Sequence, residues 1–329
     1  MKLFLFIACT IAFYTAFPQK NHEYKVVNTY HIPSTGGWDY LIAHEGKLYV
    51  SHSTQVNILN ESSGDSVGVI LNTSGVHGIA FDDELGRGYT SNGRSNNVTV
   101  FNKSDNTVVT QVNTGENPDA IFYDPFSKMI ITCNGRSKNL SVIDPKTNTI
   151  IATIDVGGKP ETGVSDAKGK VFVNVEDKNE IVEVDMKSKT VLHHWSLNGG
   201  EGPTGLVYDA KTKRLFAGCE KKLVVMNATN GKIVQQLPIG DGCDGVAFDN
   251  VRKLVFTSNG EGNMSVIKEI SADKYEVAGT YPTKRGARTI AIDEKTGTIY
   301  MPTADMEATN QANGRPKLIP GTFQVLVIR

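Results

Sequence analysis

The amino-acid sequence repeats itself with a period of about 40 residues. Six short segments match one another, each with apolar residues that lead to an Asp, and a weaker seventh copy ends in His44. In chain order they are DYLIAH ending at His44, HGIAFD at Asp82, DAIFYD at Asp124, ETGVSD at Asp166, TGLVYD at Asp209, DGVAFD at Asp249 and RTIAID at Asp293. Successive end points are 38, 42, 42, 43, 40 and 44 residues apart. Such a chain is built from seven copies of one structural unit.

Each unit reads as four short strands joined by polar turns. In the second unit we place the strands near residues 78–81, 88–91, 97–101 and 107–112. Helical repeats of similar length would show a 3.6-residue apolar period, and no stretch of the chain does so. The sequence therefore predicts an all-β fold, a seven-bladed β-propeller of four-stranded antiparallel blades that forms one domain over residues 17–329.

The two ends of the chain are expected to share the last blade. The seventh unit ends with its third strand, at residues 324–328, while residues 24–32 form a strand that belongs to no unit. A propeller closed by pairing these strands leaves no long open sheet edge. We therefore predict that the N-terminal strand completes blade seven.

The first 16 residues follow a different pattern. Lys2 precedes an apolar run over residues 3–13, and Ala16 offers a small residue at a cleavage point whose position stays uncertain. This pattern indicates an export signal, so we expect a periplasmic, secreted or cell-surface protein without a membrane span in the mature chain. The run before Cys9 is too short to favour a lipoprotein.

Charge and composition narrow the partners. The formal net charge of -1 offers no basic surface for phosphate backbones, which disfavours nucleic acid. Apolar residues make up 39% of the chain, as in globular proteins. We expect a monomer that binds a small polar ligand or another extracytoplasmic protein.

The second strands carry related four-residue segments: Tyr49-Val50-Ser51-His52, Tyr89-Thr90-Ser91-Asn92, Ile131-Thr132-Cys133-Asn134 and Phe256-Thr257-Ser258-Asn259. They resemble the Tyr-Val-Thr-Asn second strand of the YVTN-repeat β-propellers, a bacterial and archaeal family of secreted or surface proteins. The resemblance covers residues 24–329 and implies a propeller. It implies little about function, because most members are uncharacterised, with nucleic-acid binding suggested for some. The motif Asn is absent at Val175, Cys219 and Thr303.

One position of the repeat is a candidate ligand site. The first strand of each propeller blade lines a central channel, and the repeat places one variable residue per unit where that strand begins. These residues are Asp39, His77, Asp119, Glu161, Thr204, Asp244 and Arg288. The six charged or titratable members are the predicted ligand-binding residues. The alternative is a water-filled mouth whose Asp side chains cap nearby backbone.

Two further hypotheses concern the same face. His52, His77 and Asp39 are candidate metal ligands, because imidazole and carboxylate suit Zn²⁺ or Mn²⁺, and a divalent metal is the candidate cofactor. Cys219 and Cys243 lie in loops of adjacent blades and are a disulfide candidate, with buried free thiols as the alternative. Residues 305–321 interrupt the last unit on this face, as a lid or as a decoration.

The function stays open between two main classes. The first is an extracytoplasmic binding or scaffold propeller that holds a ligand, metal or protein at its loop face and channel mouth. The second is a hydrolase or lyase, with His77 and nearby carboxylates in proton transfer and a metal as a possible aid. No nucleophile motif such as GxSxG occurs, which favours binding. The sequence therefore leaves enzymatic activity undetermined and names no catalytic residue.

Overall fold

The computed structural model describes residues 23–310 and 316–329, with no side-chain description for 308–316. The predicted export signal and Cys9 lie outside the described residues. Within them the protein contains thirty β-strands, β1 to β30, and one 3-10 helix, Glu176–Lys178. None of the helical structure in this part of the chain has the length and apolar character needed to cross a membrane.

Twenty-eight of the strands form seven four-stranded antiparallel sheets, as predicted. Blades 1 and 2 contain β2 (Trp38–His44), β3 (Lys47–His52), β4 (Gln55–Asn60), β5 (Ser66–Ile70), β6 (Val76–Asp82), β7 (Arg87–Asn92), β8 (Asn97–Asn102) and β9 (Val108–Asn113). Blades 3 and 4 contain β10 (Pro118–Asp124), β11 (Met129–Asn134), β12 (Asn139–Asp144), β13 (Thr149–Asp155), β14 (Pro160–Ser165), β15 (Lys170–Val175), β16 (Glu180–Asp185) and β17 (Thr190–Ser196).

Blades 5 and 6 contain β18 (Gly205–Asp209), β19 (Arg214–Cys219), β20 (Lys222–Asn227), β21 (Ile233–Pro238), β22 (Cys243–Asp249), β23 (Leu254–Asn259), β24 (Asn263–Ser271) and β25 (Lys274–Pro282). Blade 7 contains β26 (Ala291–Asp293), β27 (Thr298–Thr303), β30 (Gln324–Ile328) and β1 (Val26–His31). The remaining two strands, β28 (Met306–Asn310) and β29 (Pro316–Leu318), form a hairpin inserted into blade 7.

The closure of the propeller is confirmed. Strand β1 pairs antiparallel with β30, so that Tyr30 faces Val325. Beyond the paired strands, the Lys25 amide donates to the Arg329 carbonyl at 3.0 Å and the Arg329 amide donates to the Lys25 carbonyl at 3.1 Å. The two ends of the chain therefore hold blade 7 together, and neither β27 nor β30 presents an unpaired edge.

Each sheet lies between two neighbouring sheets and packs against both, so the core lies between the blades. One cluster joins Tyr49 and Ile58 of blade 1 to Val76 and Phe101 of blade 2, and comparable clusters follow around the ring. The middle strands β7, β11 and β15 are buried along nearly their whole length, whereas the outermost strands such as β9 and β13 are mostly exposed. This is the pattern of sheets packed on both faces near the centre and exposed at the rim.

The YVTN-like segments have a structural role in three blades. In blade 3, Asn134 Oδ1 accepts a hydrogen bond from Thr132 Oγ1, and Asn134 Nδ2 donates to Asn139 Oδ1 and Ser141 Oγ. Equivalent bonds surround Asn92 and Asn259. The buried amide thus ties the end of the second strand to the third strand. Both polar atoms of this side chain, Oδ1 and Nδ2, have hydrogen-bond partners.

Candidate functional site

The channel mouth is the set of seven residues at equivalent repeat positions, in or just before the start of each blade's first strand: Asp39, His77, Asp119, Glu161, Thr204, Asp244 and Arg288. The structure brings several of them into contact across blade boundaries. His77 contacts both Asp39 and Asp119, Arg288 contacts Asp244, and the Thr204 hydroxyl donates to the Cys243 carbonyl at 2.8 Å. A ring of equivalent repeat positions therefore becomes one connected polar surface.

His77 lies between two carboxylates. Its Nδ1 is 2.5 Å from Asp39 Oδ2 and 3.8 Å from Asp119 Oδ1. Burial alone would lower the pKa of His77, but the hydrogen bond to Asp39 and the negative charges of Asp119 and Asp39 outweigh burial and raise it to about 9. At neutral pH the imidazole is therefore protonated and forms an ion pair with Asp39.

Gly93 determines how the His77 ring lies. A Cβ at position 93 would stand 2.6 Å from His77 Nε2 and 2.8 Å from its Cδ2. The backbone at Gly93 does not adopt the left-handed conformation, so the glycine is needed for space. With the Nε2 edge packed against Gly93, the Nδ1 edge faces the two carboxylates.

The third and fourth blades contribute two buried acids. Lys159 Nζ lies 3.0 Å from Glu161 Oε2 and also bonds to Glu176. Asp119 is only 8% exposed, and among the described residues no donor reaches its carboxylate within hydrogen-bond distance. Burial and the negative charge of Asp39 raise the pKa of Asp119 well above its usual range, and burial and the charge of Asp119 do the same for Glu161.

Arg288 closes the ring between blades 7 and 1. Its Nη1 donates to Asp244 Oδ2 at 2.6 Å and its Nη2 donates to the Trp38 carbonyl at 3.3 Å. Burial raises the pKa of Asp244, and the Arg288 charge opposes that rise. The positive charge of Arg288 is thus already shared with a neighbouring acid.

A layer of hydroxyl groups forms the floor of the mouth. The Tyr40 hydroxyl lies 3.2 Å from Thr162 Oγ1 on the far side of the channel, and Thr162 Oγ1 donates to the Thr204 carbonyl. Burial and the nearby acids raise the Tyr40 pKa, so the phenol stays neutral. Beyond this layer the first strands line an open cavity of about 610 Å³ with apolar side chains such as Ile42 and Phe122. The polar mouth therefore ends at Tyr40.

The sequence-based prediction of the site missed Tyr40, Lys159 and Glu176. Tyr40 directly follows a ring residue, where the other units have Gly, Ala or Thr, and this departure from the repeat was the available signal. Lys159 precedes the first strand of blade 4 by one residue, and Glu176 follows the second strand of that blade. Lys159 stands in a loop and Glu176 begins the 3-10 helix, and the repeat specifies the direction of neither side chain.

His52 does not lie with His77 and Asp39, as the metal hypothesis requires. Its Nδ1 bonds to Ser34 Oγ, its Nε2 lies 3.1 Å from the Gly36 carbonyl, and its ring stacks on Phe323 at 3.9 Å. Both ring nitrogens are therefore used, and burial lowers the pKa of His52. At the channel mouth, the side chains close enough together to hold a metal are Asp39, His77 and Asp119, so that Asp119 stands where His52 was expected.

The cysteines of the described chain are buried free thiols: Cys133, Cys219 and Cys243. The proposed disulfide between Cys219 and Cys243 is not formed. Cys219 Sγ lies 3.8 Å from the Ala217 carbonyl and Cys243 Sγ lies 3.7 Å from the Gly245 carbonyl. Burial raises the pKa of all three thiols. The buried-thiol alternative is the one that the structure shows.

The described part of the insertion in blade 7 packs beside the mouth. The Asp305 carboxylate bonds to Lys284, and Lys317 lies 2.8 Å from Glu307. Residues 317–321 line a cleft of about 460 Å³ together with residues 34–37. The described part of the insertion is a β-hairpin whose residues 317–321 lie against the loop that enters blade 1.

Known structures share this fold. One is the Kuenenia stuttgartiensis hydrazine synthase, with a TM-score of 0.72 and 14% identity over 82% of this chain and 93% of that one. Another is a chain of the mitotic checkpoint complex, with a TM-score of 0.76 and 12% identity over 100% of this chain and 98% of that one. No protein-family model and no curated protein sequence matches the chain. At such identities the likeness shows the propeller fold alone, and the YVTN resemblance stays a prediction.

Proposed function

We propose that the protein is a binding propeller whose channel mouth holds a positively charged ligand. The supporting observation is an imbalance of charge. The connected groups comprise five carboxylates, Asp39, Asp119, Glu161, Glu176 and Asp244, against three cations, His77, Lys159 and Arg288. With all five carboxyl groups ionised, the negative charges of this partly buried site exceed the positive ones by two, so that either protons or a bound cation must balance them.

Buried charge without a partner is costly, and a bound cation removes that cost. The raised pKa values of Asp119 and Glu161 express the same imbalance, since both carboxyl groups retain protons more readily than they would in water. An anionic ligand would increase the excess of negative charge at the mouth, because Arg288 and Lys159 are already paired with acids. A cation is therefore the class of ligand that this site favours.

The test is calorimetric titration of the full chain, freed of metals with chelator, with Mn²⁺, Ca²⁺ and a small organic diamine. We expect at least one of these cations to bind, and Asp119→Asn to weaken that binding roughly 10-fold or more, as the loss of one charged partner predicts. Glu294→Gln is the matched control, since Glu294 lines the cavity at the opposite end of the channel. Binding of no cation, or equal binding by Asp119→Asn, would contradict the proposal.

The hydrogen bond between His77 and Asp39 also supports a second candidate, a hydrolase or lyase in which His77 donates a proton. The geometry favours binding, because Nδ1 is engaged with Asp39 and the Nε2 edge is packed against Gly93. A screen of ester, lactone and uronide substrates tests this candidate. Turnover that His77→Gln abolishes without lowering the melting temperature would support it, and turnover that survives would contradict it.

We further propose that the protein is exported, on the basis of the charged and apolar pattern of residues 1–16. Cell fractionation and N-terminal sequencing of the mature chain test this. Removal of residues 1–16 should leave the protein in the cytoplasm. We also propose that the loop face binds a protein partner; one protein with the same fold is a chain of the mitotic checkpoint complex.

A further inference from the structure

We infer that Asp39, His77 and Asp119 form a site for one divalent transition-metal ion, with His77 Nδ1, Asp39 Oδ2 and Asp119 Oδ1 as its ligand atoms. The inference rests on the proposed cation-binding function and narrows it to one chemical class and three residues. A suitable atom from each side chain lies within 4.8 Å of the other two.

The distances are close to those of a coordination shell. At metal–ligand distances of about 2.0–2.2 Å, the ligand atoms of one ion stand roughly 3–3.5 Å apart. The two distances from His77 Nδ1 are 2.5 Å to Asp39 and 3.8 Å to Asp119. To fit an ion, the distance to Asp39 has to lengthen and the distance to Asp119 has to shorten, each by about half an ångström. Small rotations of the side chains are sufficient for this. The ion then takes the place of the proton between His77 and Asp39.

The backbone under the three ligands is held in place. The Ser51 hydroxyl accepts from the Asp39 amide at 3.1 Å, and the Thr289 hydroxyl donates to the Asp39 carbonyl at 2.7 Å. The Ser91 hydroxyl donates to the Asp119 carbonyl. Together with the packing of His77 on Gly93, these bonds fix three ligands on the first strands of three successive blades. Ligands held by rigid strands are the arrangement that a metal site requires.

Asp119 supplies an independent indication. The residue is 8% exposed, its carboxylate stands beside the other two ligand groups with His77 Nδ1 at 3.8 Å, and it accepts no hydrogen bond from a described residue. A second cluster, His44, Glu45 and Asp83, offers the same residue types at the opposite face. There Lys103 Nζ bonds to Asp83 and lies 3.0 Å from Glu45, so a cation is already built in. Of these two clusters, the one at the channel mouth has a buried carboxylate without a hydrogen-bond donor among the described residues.

The ligand set indicates the kind of metal. Calcium and magnesium prefer oxygen ligands throughout, whereas one imidazole nitrogen with two carboxylates suits Mn²⁺, Fe²⁺ or Zn²⁺. Three protein ligands leave further coordination positions open on the solvent side, because Tyr40 closes the floor. The ion would therefore carry water molecules or an additional ligand at the mouth.

The experiment titrates the chelator-treated full chain with Mn²⁺ alone, followed by electron paramagnetic resonance, and then competes Mn²⁺ with Zn²⁺. We expect one ion per chain, and a roughly 10- to 100-fold loss of affinity in each of the near-isosteric variants His77→Gln and Asp119→Asn. Circular dichroism melts show which variants fold. Glu294→Gln and His44→Gln are controls that should bind as the wild type does.

Three results would overturn the inference: failure of both Mn²⁺ and Zn²⁺ to bind, unchanged affinity in the folded His77 and Asp119 variants, or loss of binding in His44→Gln. The failures of the two proposals are distinguishable. If neither Mn²⁺ nor Zn²⁺ binds, but the organic diamine binds and Asp119→Asn weakens its binding, the metal site is wrong and the cation-binding function is supported. If neither class of cation binds, both fall.

Discussion

Substituting alanine for Gly93 would displace the His77 ring without removing any charged group. The added Cβ would stand 2.6 Å from His77 Nε2, whereas ordinary contacts begin near 3.4 Å. The ring has to retreat by roughly 0.8 Å to restore van der Waals distance. The backbone at this position accepts alanine, since Gly93 is outside the left-handed region.

The expected result is a lower pKa of His77. Retreat of the ring disturbs the 2.5 Å bond to Asp39, whose contribution keeps the pKa of His77 at about 9 against the effect of burial. If that contribution is lost, the pKa falls toward the ordinary value of about 6.5, and a fall of roughly 2 units corresponds to roughly 2.7 kcal/mol. Titration of the imidazole signals by NMR, assigned with His77→Gln, measures the change.

Gly135→Ala is the matched control for this prediction. Gly135 follows Asn134 as Gly93 follows Asn92, but a Cβ at Gly135 meets Asn117 and Lys159 at 3.4 Å and beyond. The His77 pKa should stay near 9 in this variant. A His77 pKa within half a unit of the wild-type value in Gly93→Ala would refute the idea that Gly93 orients the ring.

Three other predictions follow. The metal-free protein should lose stability as pH rises from about 6 to 9, because the folded pKa of His77, about 9, lies above its unfolded value of 6.5. The stabilising contribution of His77 is complete below its unfolded pKa and is lost as the pH rises through its folded pKa, a loss of about 3 kcal/mol. A free energy of unfolding in urea that is constant over this pH range would contradict the prediction. Asn134→Ala should cost roughly 2–3 kcal/mol in the same assay, because it leaves buried partners unbonded, and Asn92→Ala should cost a similar amount; a cost under about 0.5 kcal/mol would contradict the network. The buried thiols, Cys133, Cys219 and Cys243, should react with Ellman's reagent only after unfolding, and rapid reaction of the native protein would show that they are accessible.

The sequence was sufficient to predict the architecture of the protein. Six of the seven repeats carry a terminal Asp, and each of blades 1 to 6 is specified by the strand pattern and turn residues of about 40 neighbouring residues. The Asp residues are an example: the Asp249 carboxylate accepts the amides of Val251 and Arg252 at 2.9 and 2.7 Å, within its own turn. The strand over residues 26–31 could be assigned to blade 7 because the seventh unit has only three strands of its own and this strand belongs to no unit.

The repeat register also predicted which residues lie at the channel mouth, but it could not predict their partners. Thr289 and Asp39 are 250 positions apart and meet only when the ring of blades closes. Whether His77 faces Asp39 or His52 depends on the Gly93 contact and on the loop of residues 34–37 that binds His52. Local sequence thus determined the blades and their order, because strand formation and turns are short-range. Only the closed tertiary structure decided the pairing of charges at the mouth, because that pairing depends on distances between blades that no single repeat encodes.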